Sequence, residues 1–301
     1  MVQALFVEFA IDPVLSLVGL LTGLVVGLTG MGGGALLTPA LVLVFNVPPL
    51  TAVSSDIVAS AFMKPVGGGV HYKSGTVHLP LVGWLVLGSV PSAFGGVWLL
   101  THVAQGEQLN QFLRLALGSA LLLVAVTLSV RQFAGKHRRA RSEDGPVPAK
   151  PLTTLAIGLL GGLIVGITSV GSGSIMMLLL LLVYPRLRLR ELVGTDLVQA
   201  VPLILSAAVA HLWLGSFDLG LTASIVLGAL PGIYVGAKLS AKAPDHIIRP
   251  ILVSTLLASS LKLLGAGPRL MLLAGVLLVL GASVWVLVGA RRARTAVSPL
   301  A

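Results

Sequence analysis

Apolar stretches of membrane-spanning length make up most of this chain, and two of them are broken by clusters of glycine; no other feature narrows the fold as far. The first cluster, residues 27–34, reads Gly-Leu-Thr-Gly-Met-Gly-Gly-Gly, and the second, residues 166–174, reads Gly-Ile-Thr-Ser-Val-Gly-Ser-Gly-Ser. Glycine lowers helix stability and frees the backbone, so each cluster marks a break. Inside a bilayer a break leaves N–H and C=O groups that water cannot reach. Such groups persist only against protein, a cavity or a ligand. With 56% hydrophobic residues, 10% charged residues and a mean hydropathy of +1.02 over 301 residues, the apolar surface exceeds what a soluble core of this size buries. The chain therefore reads as an all-α polytopic membrane protein.

A formal net charge of +10 would point a soluble protein toward nucleic acid. Here the cations cluster in short loops between spans, as the positive-inside rule requires. The expected partner is the lipid bilayer, and nucleic acid is not expected. The absence of cysteine excludes disulfides, thiolate metal ligands and thiol nucleophiles. Glu8 and Asp12 precede the first apolar segment with no basic n-region, which predicts a retained first helix rather than a cleaved signal.

Residues 13–29 and 35–45 flank the first break, and each arm is at or below the roughly 17–25 residues of a full span. They predict a hairpin that enters and returns on one side. Spans follow over residues 50–70, 79–100 and 111–130, and the polar stretch 131–150 carries Lys136, His137, Arg138, Arg139 and Arg141. The second half then repeats the first. Gly27, Thr29, Gly32 and Gly34 recur at Gly166, Thr168, Gly171 and Gly173 with an offset of 139; Ser55, Asp56, His71, Gly88, Pro91 and Gly96 recur at Thr195, Asp196, His211, Gly228, Pro231 and Gly236 with an offset of 140. Chance apolar similarity does not keep Asp, His, Pro and Gly in step.

Corresponding loops differ in charge. Residues 46–49 and 101–110 carry no Lys or Arg, whereas their counterparts 186–190 and 238–249 are basic, and Lys73 has no partner in 215–218. Placing basic loops in the cytoplasm makes the repeats inverted, with the N-terminus outside, the C-terminus inside and Arg269 as the one loop cation on the wrong side. The expected fold is two inverted-topology repeats, each a glycine-broken helical hairpin plus three transmembrane helices, with an extra C-terminal transmembrane helix at 270–290. The expected units are residues 1–130 and 151–265 as the repeats, 131–150 as a basic cytoplasmic linker, and 266–301 as the added helix and basic tail. Inverted repeats with interrupted helices are the architecture of secondary transporters.

In this topology the hairpin tips enter from opposite faces and meet near the midplane. Backbone N–H groups at Gly30, Gly32, Gly33, Gly34, Gly171 and Gly173, with the hydroxyls of Thr29, Thr168, Ser169, Ser172 and Ser174, form a candidate anion site at helix starts. The plainer alternative is that the glycines only let helices pack closely. Lys64 has Ile204 at its repeat position and shares a helix face with Asp56 and Ser60, since residues four apart are neighbours. It is a candidate anion-binding residue, or a lysine reaching for the interface. Asp56 and Asp196, each after a hydroxyl residue, Ser55 or Thr195, either orient the hairpins, carry a coupling proton or cap helix starts. His71 and His211 fall at helix ends beside loops, where solvated or capping histidines are common and a proton relay is the alternative. Lys262 on the outer side either draws anions inward or anchors its helix. No carboxylate pair, zinc motif, nucleotide loop or serine–histidine–aspartate set stands out. No catalytic residue, metal or cofactor is expected.

The hairpin GLTGMGGGALLTPAL, the paired AVSSDIVAS and LVGTDLVQA, the paired GSVPSAFGG and GALPGIYVG, and the basic central linker together resemble the sulfite exporter TauE/SafE family, over residues 13 to 264. The resemblance implies a bacterial inner-membrane permease, not an enzyme, for sulfite, sulfoacetate or related organosulfonates, with other small organic anions as the alternative. It maps the family's paired glycine hairpins onto residues 30–34 and 169–173, and its polar helix starts onto Ser55, Asp56, Thr195 and Asp196. An intramembrane enzyme or lipid-processing protein is the rival from another class, and it lacks a nucleophile or metal constellation here.

Overall fold

The computed structural model describes residues 11–29, 32–103, 106–137, 148–187, 189–214, 217–239, 245–267 and 269. The helix expected at 270–290, the basic tail, Gly30 and the middle of the linker lie outside the described residues. Every regular element among them is helical. Five helices are long and apolar enough to cross a membrane, and the broken pair Pro13–Thr29 with Gly33–Leu43 makes a sixth if it counts as one span.

The first half runs α1 (Pro13–Thr29), a single 3-10 turn (Gly33–Ala35), α2 (Leu37–Leu43), α3 (Pro49–Lys73), α4 (Leu79–Val103) and α5 (Gly106–His137). The second runs α6 (Pro151–Thr168), α7 (Ile175–Val183), α8 (Leu189–Leu214), α9 (Leu219–Leu239) and α10 (Asp245–Leu263). α5 continues to His137, so residue 130, the expected repeat boundary, falls inside a helix. Helix order in the second half follows the first, with a short helix after each break. The first break turns the chain by 120°. The second holds Ser169 at φ 59°, Gly171 at φ 130° and Gly173 at φ 87°, left-handed backbone that a β-branched residue would strain. Tyr184 closes the mouth of this second hairpin: its hydroxyl accepts the Lys150 N–H at 2.7 Å and meets Thr154 Oγ1 at 2.5 Å.

α3 and α8 form the centre. Residues 52–60 of α3 are buried throughout, and α3 packs on α8 and α9 while α8 packs on α3 and α4. α3 carries too many polar residues to be recognised as a span by hydropathy, and those residues face protein: Ser54, Ser55, Asp56, Ser60 and Lys64 are all buried. Outside this centre, α1 packs along α9, α4 along α6, and α5 along α10. Exchanging first-half helices for their second-half counterparts turns the α1–α9 pair into the α6–α4 pair and returns the α3–α8 and α5–α10 pairs to themselves.

Small residues every fourth position allow the outer pairs to touch backbone to backbone. A Cβ on Gly228 of α9 would lie 1.8 Å from the Ser16 carbonyl oxygen of α1, and one on Gly162 of α6 would lie 2.4 Å from the Ser89 carbonyl oxygen of α4. Gly83 has open space instead. Gly228→Ala is expected to lower stability by about 1–3 kcal/mol through overpacking, and Gly83→Ala to raise it by up to about 1 kcal/mol through helix propensity. Thermal unfolding in detergent separates the two; equal melting temperatures would rule out a close α1–α9 contact.

Candidate functional site

The two hairpin tips touch at the centre of the molecule. A Cβ on Gly34 would stand 2.0 Å from the Ser169 carbonyl oxygen and 2.6 Å from its carbon. On the other side of that contact, a Cβ on Gly32 would be 3.0 Å from both Lys64 Nζ and the Ser172 carbonyl oxygen. Lys64, only 6% exposed, donates from Nζ to Ser172 Oγ at 2.9 Å. One lysine of α3 therefore bridges the tip of the first hairpin to that of the second.

Asp56, fully buried, sits two turns before Lys64. Its Oδ2 accepts from Thr38 Oγ1 at 2.5 Å, which ties α3 to α2. Its Oδ1 faces the hydroxyls of Ser169 and Ser60 without closing a hydrogen bond to either. Ser169 Oγ is likewise buried with no partner. These two polar atoms, one from each half, lie beside the tip glycines, 3.7 Å from a Cβ on Gly33 and 2.9 Å from one on Gly34. Asp196, its repeat counterpart on α8, accepts from Gln199 Nε2 at 3.0 Å.

The other expected residues divide by what they hold. Ser55 Oγ accepts the Asp218 N–H at 3.1 Å and Thr195 Oγ1 accepts the His78 N–H at 3.0 Å. In each half the hydroxyl ahead of the aspartate thus anchors the start of a neighbouring helix, α9 or α4. Thr29 and Thr168 bond back to the carbonyls of Val25 and Ile164, at 2.7 and 2.6 Å, a habit of hydroxyl residues in helices. Ser174 Oγ reaches Gly171 O at 3.4 Å, and the N–H groups of Ser174, Ile175 and Met176 converge on that same carbonyl. The start of α7 is thus largely satisfied within its own turn.

The two histidines differ. His71 is half-buried, with Nδ1 3.1 Å from Thr76 Oγ1. His211 is fully buried instead of loop-side: Nε2 lies 2.9 Å from Gly166 O and Nδ1 2.8 Å from Ser54 Oγ. A carbonyl oxygen only accepts, so Nε2 carries a proton. His211 joins α8 to both α3 and the arm of the second hairpin. Lys262 lies near the end of α10, and nothing places it beside the tips.

Gln199 and Thr38 have no place in the sequence reading. Gln199 also receives a hydrogen bond from Ser89 Oγ at 3.3 Å on its Oε1, linking Asp196 to α4. Its signal was available: Gln199 replaces Ala59 of the first repeat and lies three residues after Asp196, the same kind of asymmetry that marks Lys64. Among the described residues no three His, Asp or Glu side chains come together as a metal site.

Residues 15–263 match the family model for sulfite exporter TauE/SafE. The chain is 36% identical over 251 residues to the probable membrane transporter protein YjnA of Bacillus subtilis (strain 168), covering 82% of this chain and 98% of that protein. It is 27% identical over 254 residues to the probable membrane transporter protein YdhB of the same organism, again covering 82% and 98%. No solved structure matches. The chain is a multi-pass membrane transporter belonging to the sulfite exporter TauE/SafE family.

Proposed function

We propose that this transporter moves small sulfur-containing anions, sulfite or organosulfonates, across the bacterial inner membrane by alternating access of two inverted repeats, residues 1–130 and 151–265. The observation that carries this reading is the buried Lys64 ammonium at the contact of the two hairpin tips. The repeat orientation is supported by helix directions. Ser54 of α3 pairs with His211 of α8, while Gly68 of α3 lies against Leu197, so α3 and α8 run antiparallel. Two equivalent helices that exchange across a two-fold axis and run antiparallel require that axis to lie across them, in the membrane plane. The loop charges favour an outside N-terminus and a cytoplasmic C-terminus.

Lys64 supplies the charge for the anion, with Ser172, Ser169 and the glycines 30, 32, 33, 34, 171 and 173 shaping its contacts. Thr29, Thr168 and Ser174 hold the tips in shape. Asp56 and Asp196 orient the tips and are the groups able to take a coupling proton; Ser55, Thr195, His71 and His211 position the helices around them. Either the proton gradient or the membrane potential drives the cycle.

The test is uptake of radiolabelled sulfite and sulfoacetate into proteoliposomes under an imposed pH or potential gradient, with small carboxylates alongside. Uptake that disappears when the gradient is collapsed is the expected result. Flux of a carboxylate but no sulfur anion would reassign the substrate, and no gradient-dependent flux of any small anion by intact protein would end the reading.

A further inference from the structure

Asp56 and Ser169 come from different repeats, and each buries an oxygen that meets no partner. Asp56 is fully buried; its Oδ2 takes the Thr38 hydroxyl and its Oδ1 takes nothing. Ser169 is 4% exposed, and its Oγ is equally unpartnered. Both atoms lie at two consecutive glycines of the first hairpin, whose Cα atoms are about 3.8 Å apart. A Cβ on Gly33 would have Asp56 Oδ1 at 3.7 Å and Ser60 Oγ at 3.8 Å, and a Cβ on Gly34 would have Ser169 Oγ at 2.9 Å and the Ser169 carbonyl oxygen at 2.0 Å. Four oxygens therefore gather around these two residues. The Lys64 ammonium donates to Ser172 Oγ and leaves Asp56 Oδ1 without a donor. A buried carboxylate in that condition is strongly disfavoured. A bridging water would meet both oxygens and leave the charge, and a proton on Oδ1 would need the Ser169 hydroxyl as acceptor, a bond that is not closed. A small cation answers both oxygens and the charge together.

We propose that Asp56 Oδ1 and the Ser169 hydroxyl, with Ser60 Oγ and the Ser169 carbonyl, form a sodium site between α3 and the second hairpin, and that the sodium accompanies the transported anion. The accompaniment rests on the anion-transport reading above; the site itself stands on the geometry. Hard oxygens with a single carboxylate suit a monovalent cation. Calcium takes about six to eight oxygens and magnesium keeps several waters, more than these buried residues supply, and transition metals favour imidazole or thiolate. The fold agrees with the donor set. Ser169 caps the C-terminus of α6, the negative end of the helix dipole, and in transporters with broken helices such ends and unwound carbonyls hold the coupling ion. Charge agrees as well. A sodium and a monovalent anion entering together leave the buried charge unchanged, so empty and loaded forms reorient at similar electrostatic cost. Gly32 carries the Lys64 contact while Gly33 and Gly34 carry the oxygens, so the anion and sodium sites adjoin and each strengthens binding at the other. The sodium gradient then adds to the forces that can drive the cycle.

The test is binding of sodium-22 by the purified full chain in detergent, at fixed pH and with ionic strength held constant by choline chloride. Wild-type protein should bind about one sodium per chain, as a site with a single carboxylate requires, displaced by unlabelled sodium and not by equal potassium or choline. Asp56→Asn keeps an acceptor for Thr38 and removes the charge, so sodium affinity should fall about 100-fold or more. Ser169→Gly removes the hydroxyl, and glycine takes the φ of 59° at no steric cost; affinity should fall about 10-fold. Where Asp56→Asn does not fold, Ser169→Gly decides. Methanesulfonate binding, read by thermal shift at constant chloride, should be about tenfold tighter in sodium than in choline for wild-type protein and equal in the two for Asp56→Asn. Absence of sodium binding by folded wild-type protein overturns the inference alone when anion flux persists, as do equal displacement by potassium or undiminished sodium affinity in Ser169→Gly. Anion affinity equal in sodium and choline overturns the accompaniment. Sodium binding without any anion binding or flux upholds the site and overturns the transport reading.

Discussion

Lys64→Met is expected to weaken anion binding by about 10- to 100-fold, the loss that accompanies removal of a buried charged hydrogen-bond donor, while leaving most of the protein folded. The ammonium is the only cation placed at the tip contact among the described residues, and its removal deletes both the donor to Ser172 Oγ and the charge that the anion needs. Asp56 and Asp196 lose their counter-charge together. Buried carboxylates in that position neutralise by taking protons, and the methionine side chain fills the space of the lysine stem, so the fold survives. The check is thermal unfolding in a panel of small anions. A ligand that binds only the folded state raises the apparent stability of wild-type protein by about 2.7 kcal/mol at a hundred times its Kd, and this rise should be nearly absent in the variant. An unchanged ligand shift would remove Lys64 from the site.

Gly34→Ala carries the other large expectation. Its new methyl group would sit 2.0 Å from a backbone carbonyl oxygen of Ser169, and no rotamer relieves a backbone clash. The tips must separate, at a cost of about 1–3 kcal/mol or more in stability and with loss of the geometry that aligns Lys64 with Ser172. Gly33→Ala meets the flexible end of Met63 at 3.3 Å and should be tolerated. Gly32→Ala lies between them: its methyl presses on Lys64 Nζ at 3.0 Å, a mobile side chain, and on the Ser172 carbonyl at the same distance. It should impair anion binding more than stability. Melting temperature and anion shift measured on all three variants give the order, and equal behaviour of Gly33→Ala and Gly34→Ala would mean that the tips do not touch.

Much of the site was legible because asymmetry and register are written along the chain. Lys64 stood out against Ile204, and the paired aspartates and glycine breaks stood out by their constant spacing. The roles of Ser55 and Thr195 were not legible. Each anchors the N–H of a residue far away, Asp218 or His78, and nothing local distinguishes a hydroxyl that clamps a neighbouring helix from one that meets a ligand. His211 was misjudged for a related reason. Its place near the end of α8 suggests solvent, but the antiparallel neighbour α3 and the arm of the second hairpin cover that end and supply Ser54 and Gly166 as partners. The N–H groups of Ser174, Ile175 and Met176 at the start of α7 are absorbed by Gly171 O, an outcome of the left-handed turn at Gly171 and Gly173 that residue type alone does not dictate.

The helical class, the membrane, the two breaks and the in-step halves follow from sequence alone, because apolar length and glycine content act through local backbone energetics and through the bilayer's demand that every backbone polar group be satisfied. The tertiary structure alone decided which groups share the centre. Lys64 meets Ser172 across 108 residues and Ser89 meets Gln199 across 110, and such contacts depend on how α3 and α8 cross and how closely the hairpin tips approach. Burial then sets the chemistry: a lysine and two aspartates that would be ordinary in water become buried charges that have to be balanced inside the protein.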